Sequence, residues 1–257
     1  MPLVGCALIP NSPLLLPKLA PAVRKQVAKT AAAVSRLAYE LYALQPSVLM
    51  IASCRQEVGG PFSLLQAPQL AYSFADWGDV ATVGTVTIAT GFTHALKETA
   101  EVDFPIILKS VDRLPVYFGV PVILLNQVLN KVPFVFLEIP PGATVEELNR
   151  LGLIMAEHFM VAKERIILLA AGTLAEQTKQ RRDDAHIYDN YFCAALLPWR
   201  ADKLINVDVA LRQRVRDSIW APTVLTAFVL GERDSQATIL SYEAPAKVGY
   251  VVAQLNW

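Results

Sequence analysis

The sequence predicts an α/β fold, a three-layer α/β/α sandwich around a mixed, largely parallel sheet. Three observations predict it. Residues 1–54 read as strand, helix, strand, a unit that sets two parallel strands beside one another with a crossover helix between them. Short apolar runs then alternate with helical patterns over most of the remaining length. No repeat, low-complexity tract or linker interrupts the alternation, so residues 1–257 read as one domain.

Each element has its own local reason. Leu3 to Ile9 is an apolar run closed by Pro10, the pattern of a strand buried on both faces, and a loop at Asn11-Ser12-Pro13 follows. From Pro21 to Leu44, Val23, Val27, Ala31, Val34, Leu37, Ala38 and Leu41 recur at steps of three and four, with Arg24, Lys25, Lys29 and Arg36 between them. That spacing predicts one amphipathic helix. Ser47 to Ser53 is the second buried strand. Residues 57–93 are rich in Gly, Pro, Thr and β-branched residues, and strand-like segments at Phe62 to Ala67 and Val83 to Ala89 predict edge strands and loops. A short helix at Thr93 to Ala100, a strand at Ile106 to Val111, an apolar helix at Val116 to Val128 and a strand at Phe134 to Ile139 come next.

Thr144 precedes Glu147 by three residues, the spacing of a capping box, and opens a helix to about Lys163. Arg165 to Ala171 is a strand ended by Gly172. The polar segment Gln177 to Ala185 separates it from a helix beginning near Tyr188. Helices at Val207 to Ser218 and Pro222 to Leu230, a turn at Gly231-Glu232, and strands at Thr238 to Glu243 and Gly249 to Leu255 complete the chain.

Composition narrows the class. The hydrophobic fraction is 54% and the charged fraction 18%, against roughly 45–50% and ~25% in ordinary globular chains, so the sequence can fill a large core and is not disordered. Basic and acidic residues number 23 each, for a formal net charge of +0. Nucleic-acid binding normally needs a basic footprint, which is missing. Mean hydropathy is +0.37, yet Pro, Gly, Gln and Asn break the longest uncharged runs, at residues 58–75 and 114–130, before either reaches ~20 apolar residues. Pro10, Pro13 and Pro17 interrupt the apolar start and its first basic residue is Lys18, which is not a signal-peptide pattern. Cys6, Cys54 and Cys193 form no CxxC, and an odd number of thiols fits a reducing compartment. A cytoplasmic protein without membrane association is expected.

Ligands of α/β sheets sit outside the carboxyl ends of the strands, which directs attention to the loops at Asn11, Ser53-Cys54, Asp112 and Gly172. None has a G-x-G-x-x-G or Walker A pattern, and Gly172-Thr173 reads as a turn. His94 falls in the first turn of a helix, His158 at a helix surface, and His186 in the solvated loop Asp183-Asp184-Ala185-His186, so no two histidines make a local ligand pair. Cys54 has only Arg55 beside it to favour a thiolate and reads as a small apolar filler. No G-x-S-x-G elbow occurs.

One resemblance spans nearly the whole chain. Its strongest segments are Leu8-Ile9-Pro10-Asn11-Ser12-Pro13-Leu14-Leu15-Leu16-Pro17 and Ser241-Tyr242-Glu243-Ala244-Pro245-Ala246-Lys247-Val248-Gly249-Tyr250-Val251-Val252-Ala253. Between them, Phe74-Ala75-Asp76-Trp77-Gly78, Val120-Pro121 and Ala170-Ala171-Gly172-Thr173-Leu174 fall in the same order. In these segments the chain resembles the class III extradiol dioxygenase family, the LigB-type catalytic subunit, and within it the stand-alone subunit-B-like branch. The resemblance implies a LigB-like fold, a non-haem Fe(II) held by two histidines and a carboxylate, a catecholic substrate cleaved with O₂ beside its hydroxyls, and a further histidine as acid and base. Two imidazoles and one carboxylate suit that chemistry because they leave one face of the metal open.

At the matching positions this chain departs from the pattern. Asn11 stands where the family has the histidine of His-Ser-Pro, and Ser53-Cys54 where it has Pro-His. Val116 stands at the acid/base histidine, Glu176 at the histidine of Gly-Asp-Leu-Ser-His, and the third ligand falls near Asp217. The resemblance therefore implies degenerate ligand positions at Asn11, Cys54 and Asp217, degenerate catalytic positions at Val116 and Glu176, and a substrate pocket at Asn11, Ser12, Cys54 and Thr173. The expectation is a catalytically degenerate relative, a pseudoenzyme with no cofactor, acting as a binding or partner subunit. It would form a homo-oligomer or meet a partner protein, with a small aromatic ligand as a further candidate. The alternative is a metal-dependent dioxygenase or oxidoreductase of catechols with an altered ligand set, Cys54 and Asp217 holding Fe(II) or Zn.

Overall fold

The computed structural model describes residues 2–16, 18, 21–57, 59–177 and 182–257. In chain order these form β1 (Leu3–Ile9), α1 (Pro21–Gln26), α2 (Ala28–Ala43), β2 (Val48–Cys54), β3 (Phe62–Leu65), β4 (Gln69–Phe74), β5 (Asp79–Thr87), α3 (Thr90–Glu101), β6 (Ile106–Lys109) and α4 (Val116–Leu129). Then come β7 (Phe134–Ile139), α5 (Val145–Val161), β8 (Ile166–Ala171), α6 (Arg182–Leu196), α7 (Ala201–Ile205), α8 (Val209–Val215), α9 (Trp220–Leu230), β9 (Gln236–Glu243) and β10 (Tyr250–Asn256).

Eight strands make one sheet in the order β6-β3-β7-β2-β8-β1-β10-β9, and β4 and β5 form a separate antiparallel ribbon. The central neighbours β7, β2, β8 and β1 are parallel. β6 is parallel to β3, while β3 meets β7, β10 meets β1 and β9 meets β10 antiparallel. The sheet is thus mixed and mostly parallel at its centre, as the alternating elements predict.

The apolar runs are nearly continuous because the central strands are covered on both faces. Cys6 and Leu8, Met50 and Ala52, and Leu168 and Ala170 face one cluster with residues of α3, α5, α6 and α9. Ala7 and Ile9, Leu49 and Ile51, and Ile167 and Leu169 face the other with α2 and α4. Two clusters on opposite faces make three layers. Full burial of each Leu, Ile or Val contributes roughly 1.5–3 kcal/mol.

Several elements differ from their sequence reading. The helix expected over Pro21 to Leu44 breaks at Val27, whose side chain is buried with Leu15 and Leu16 beneath the Pro13–Leu15 turn, so tertiary packing overrides the helical period. Val27 supplies no side-chain cap to α2. The carboxylate of Glu243 on β9 does so instead, accepting from Thr30 N (2.7 Å) and Thr30 Oγ1 (2.6 Å). β3 lies inside the sheet between β6 and β7, not at an edge, and β4 joins β5 outside it. His94 sits one turn into α3, which begins at Thr90.

The segment Asp183-Asp184-Ala185-His186 is helical, not a loop. Its two acidic residues occupy the first turn of α6, where they favour the positive helix end, and Ala185, Tyr188, Asp189 and Phe192 are buried at steps of three and four. Residues 178–181 of the polar segment, and Pro17 of the amino-terminal motif, lie outside the described residues. The helix expected over Val207 to Ser218 is shorter: α8 is capped by Asp208, whose Oδ1 accepts from Ala210 N (2.8 Å), and is ended by Arg216 in the left-handed region at φ 56°. The capping box at Thr144 and Glu147 forms as the spacing predicts. Among the described residues no helix is long and apolar enough to cross a membrane.

Glu243→Ala removes a cap supplied from the far end of the chain. It is expected to lower stability by about 1–2 kcal/mol, read as a lower urea midpoint with an unchanged slope; an unchanged midpoint would show that Glu243 adds nothing to α2.

Candidate functional site

The carboxyl ends of β1, β2, β7 and β8 open onto one cleft of about 1060 Å³. This is where ligand sites of parallel sheets form, because the loops diverge there. β1 delivers Asn11 and Ser12, β2 delivers Cys54, and the loop after β8 delivers Thr173 and Glu176. Val116 comes from the first turn of α4 and Asp217 from the junction between α8 and α9. All seven residues singled out in the sequence line this cleft.

Close backbone contact seats the α8–α9 junction. A Cβ at Gly172 would meet Ile219 N and Cα at 2.6 Å, so glycine is required here for close approach rather than for a turn. Ser218 N and Ile219 N donate to Thr173 O (2.9 and 3.2 Å), Thr173 N donates to Ser218 Oγ (2.8 Å), and Glu176 N donates to Val215 O (2.9 Å). On the opposite wall, buried Asn11 donates through Nδ2 to Ser53 Oγ (3.1 Å), and Ser12 Oγ accepts from Tyr250 Oη–H (2.7 Å).

Asp217 is the buried carboxylate of the cleft wall. Its Oδ1 accepts from Trp220 N (2.9 Å), and its Oδ2 lies 3.8 Å from Arg212 Nε. Burial pushes its carboxyl up from 3.8 to about 6, against the pull of Arg212, the Trp220 N–H and the Tyr188 hydroxyl. The Arg212 guanidinium lies 3.1 Å from the centroid of the Trp220 ring, and that indole donates to Leu204 O (2.8 Å). Among the described residues, Arg212 Nε is buried without a hydrogen-bond partner, and the buried Tyr188 hydroxyl faces Asp217 without a well-formed hydrogen bond.

Cys54 is coupled to the same group. Burial, and then the charge of Asp217, pushes its thiol up to about 12, so it stays protonated near neutrality. Arg55, its neighbour in sequence, turns away and donates to the carbonyls of Gly59, Gly60 and Pro61. The cation that Cys54 feels is Arg212.

A second buried carboxylate behaves oppositely. Glu138, at the end of β7, accepts from Ser63 Oγ (2.7 Å), Tyr117 Oη (2.6 Å) and Lys109 Nζ (2.9 Å). Burial works to raise its pKa, but these three donors outweigh it and hold the carboxyl below its ordinary value. Tyr117 lines the cleft, and burial with Glu138 as acceptor raises its hydroxyl far above the ordinary range.

The donor set does not fit the metal that the resemblance implies. Among the described residues no three His, Cys, Asp or Glu side chains gather where they could hold an ion. The Asn11 amide is engaged by Ser53, Cys54 keeps its proton, and Asp217 faces Arg212. Fe(II) and Zn sites take deprotonated thiolate, neutral imidazole and carboxylate ligands. None of the three histidines lines the cleft; they sit on α3, α5 and α6, with His158 half-buried against the edge of Phe92.

Arg212, Tyr188, Trp220, Tyr117 and Glu138 were not singled out in the sequence. Glu138 lies within an apolar strand and meets Ser63, Lys109 and Tyr117 from distant segments, while Arg212 meets Asp217 and Trp220 only because the chain turns back at the α8–α9 junction, and none of these residues belongs to a motif. No known protein family matches the chain, and no curated protein does. Among solved structures it is similar to an uncharacterized protein from Escherichia coli K12, with 13% identity and a TM-score of 0.67 over 98% of this chain and 100% of that one. That likeness shows the α/β fold over the full length.

The raised pKa of Asp217 sets a pH dependence. Because the folded value exceeds the unfolded one, the stability linked to this group is present below pH 3.8 and is lost as pH rises through about 6. Asp217→Asn keeps an acceptor for Trp220 N–H and should leave stability near that of the parent at pH 4, yet exceed it by roughly 2–3 kcal/mol at pH 8. Thermal midpoints across that range check this, and a difference that does not change with pH would refute it.

Proposed function

We propose that this chain is a LigB-type scaffold without ring-opening chemistry, working as a non-catalytic binding subunit through the cleft at the carboxyl ends of β1, β2, β7 and β8. One observation carries the reading: Asn11, Cys54, Val116 and Glu176, which stand where the resembled family has histidine, all line this cleft. Asn11 is a neutral amide already hydrogen-bonded, Cys54 is a protonated thiol, and Val116 has no proton to transfer. Glu176 is an exposed carboxylate on the rim. The cleft holds about 1060 Å³, and the side chains that ring cleavage needs are replaced at these four positions.

The test is metal and turnover on the same sample. The protein as purified, and after anaerobic loading with Fe(II), should hold far less than one iron per chain and should not open the ring of catechol. Near-stoichiometric iron with ring opening would overturn the proposal in favour of a dioxygenase with an altered ligand set. The Asn11→His, Cys54→His double variant restores two imidazoles and is expected to take up more Fe(II) than the parent.

The partner side of the reading rests on the β4–β5 ribbon. Trp77, Val80 and Val83 are exposed on it, and Trp77 also borders the cleft, so a protein partner or second copy covering the ribbon would bury apolar surface beside the site. Light scattering that shows a monomer across the concentration range would count against a homo-oligomer. The cytoplasm remains the proposed compartment, in keeping with free thiols at Cys6, Cys54 and Cys193.

A further inference from the structure

We infer that the cleft selects its ligand by an acid group, taking a small organic carboxylate on the guanidinium of Arg212, with Arg216 and the Thr173–Ser218 hydroxyl pair beside it. This rests on the reading above, that the cleft binds without a metal, and adds what it binds.

Arg212 is the first observation. Its guanidinium is stacked on Trp220, which fixes the plane of the fork, and its nearest carboxylate oxygen is 3.8 Å away at Asp217. Its buried Nε has no acceptor among the described residues. With Nε buried toward Asp217 and the guanidinium held flat by the indole, the terminal nitrogens of this half-buried side chain are the donors left to the cleft, and a planar carboxylate can accept two parallel N–H bonds from them. A neutral diol offers only uncharged acceptor oxygens, which bind a guanidinium more weakly than a carboxylate does.

Arg216 is the second. It closes α8 with φ 56°, a left-handed conformation that favours glycine, and it lines the same cleft four residues after Arg212. The backbone there turns the chain into the Asp217 seat and sets an exposed cation at the cleft wall.

The hydroxyl pair is the third. Thr173 Oγ1 and Ser218 Oγ lie 3.2 Å apart, and Ser218 Oγ already accepts from Thr173 N. Whichever hydroxyl donates to the other, the remaining proton has no partner within the pair and is available to an acceptor in the cleft. The charged residues of the lining are Arg55, Arg212 and Arg216 against Glu176 and Asp217, an excess of one cation in a chain whose formal net charge is +0. Trp77, Val116 and Pro140 supply apolar wall for the body of the ligand.

The experiment uses the full chain and four probes: benzoate, its neutral isostere benzamide, catechol, and inorganic phosphate. Titration calorimetry and the rise in thermal midpoint with ligand read binding. Benzoate is expected to bind at least tenfold more tightly than benzamide or catechol. Arg212→Gln should weaken benzoate at least tenfold, Arg212→Lys should recover only part of that loss because it restores charge without the planar fork, and Arg24→Gln on distant α1 should change nothing. Where Arg212→Gln does not fold, Arg216→Gln, expected to weaken benzoate several-fold, carries the test. Equal binding of benzoate and benzamide, tighter binding of catechol, binding of phosphate alone, no binding at all, or no effect of Arg216→Gln would each overturn the inference. Iron uptake with ring opening would instead defeat the reading it rests on, so the two failures are distinguishable.

Discussion

Ile9, Ser53 and Ala171 stand in one row across β1, β2 and β8, and Cys54 pairs with Ile139 of β7 one step further on. This register is the constraint on which the cleft depends. Four parallel strands buried on both faces cannot slip by one residue without turning every side chain to the opposite layer, so the hydrophobic clusters on the two faces fix the register. Once it is fixed, four loops leave the sheet at the same level, and Asn11, Cys54, the Pro140–Ala143 turn and Thr173 come together although they are far apart in the chain.

The two buried carboxylates near these loops show how local donors decide the state of a group. Glu138 is as buried as a side chain can be, yet its carboxyl is held low because a hydroxyl, a phenol and an ammonium all donate to it. Asp217 has one well-formed hydrogen bond, from a backbone N–H, with a cation at 3.8 Å and the Tyr188 hydroxyl less well placed, and it rises. Both are desolvated; the number and distance of donors separate them. Glu138 therefore anchors Tyr117 and Lys109 as a completed network, whereas Asp217, Arg212 and Tyr188 form an incomplete one among the described residues. Buried ion pairs add little to stability by themselves, and two members of this network, Arg212 and Asp217, line the cleft.

The central strands were legible in the sequence because burial on both faces writes itself as an unbroken apolar run, as in Leu3–Ile9 and Ile166–Ala171. The α5 start was legible because Thr144 and Glu147 make a local, reciprocal pair of bonds. Val27 was not, since its break from the helix comes from packing against Leu15 and Leu16. The α6 start was hidden by two aspartates that resemble a loop, although Ala185, Tyr188, Asp189 and Phe192 carried the helical period. At the cleft, the loop positions after β1, β2 and β8 could be read from the strand ends. Arg212 could not, because its meaning lies in Trp220 and Asp217 folding back on it across the α8–α9 junction.

The shortage of histidine acquires a spatial sense from this arrangement. His94, His158 and His186 all sit on helices that pack on one face of the sheet, and none reaches the cleft. Within the cleft, the Cys54 thiol and the Tyr117 phenol keep their protons near neutrality, and Asp217 is directed at a backbone N–H and an arginine. General acid–base work needs a group that can both give and take a proton at a substrate atom. Arginine cannot do so, but it holds an anion well. Under the proposed reading, the positions where the resembled family has histidine hold an amide, a thiol, a valine and a glutamate, and a cleft whose donors belong to arginines and hydroxyls would hold a molecule rather than transform it.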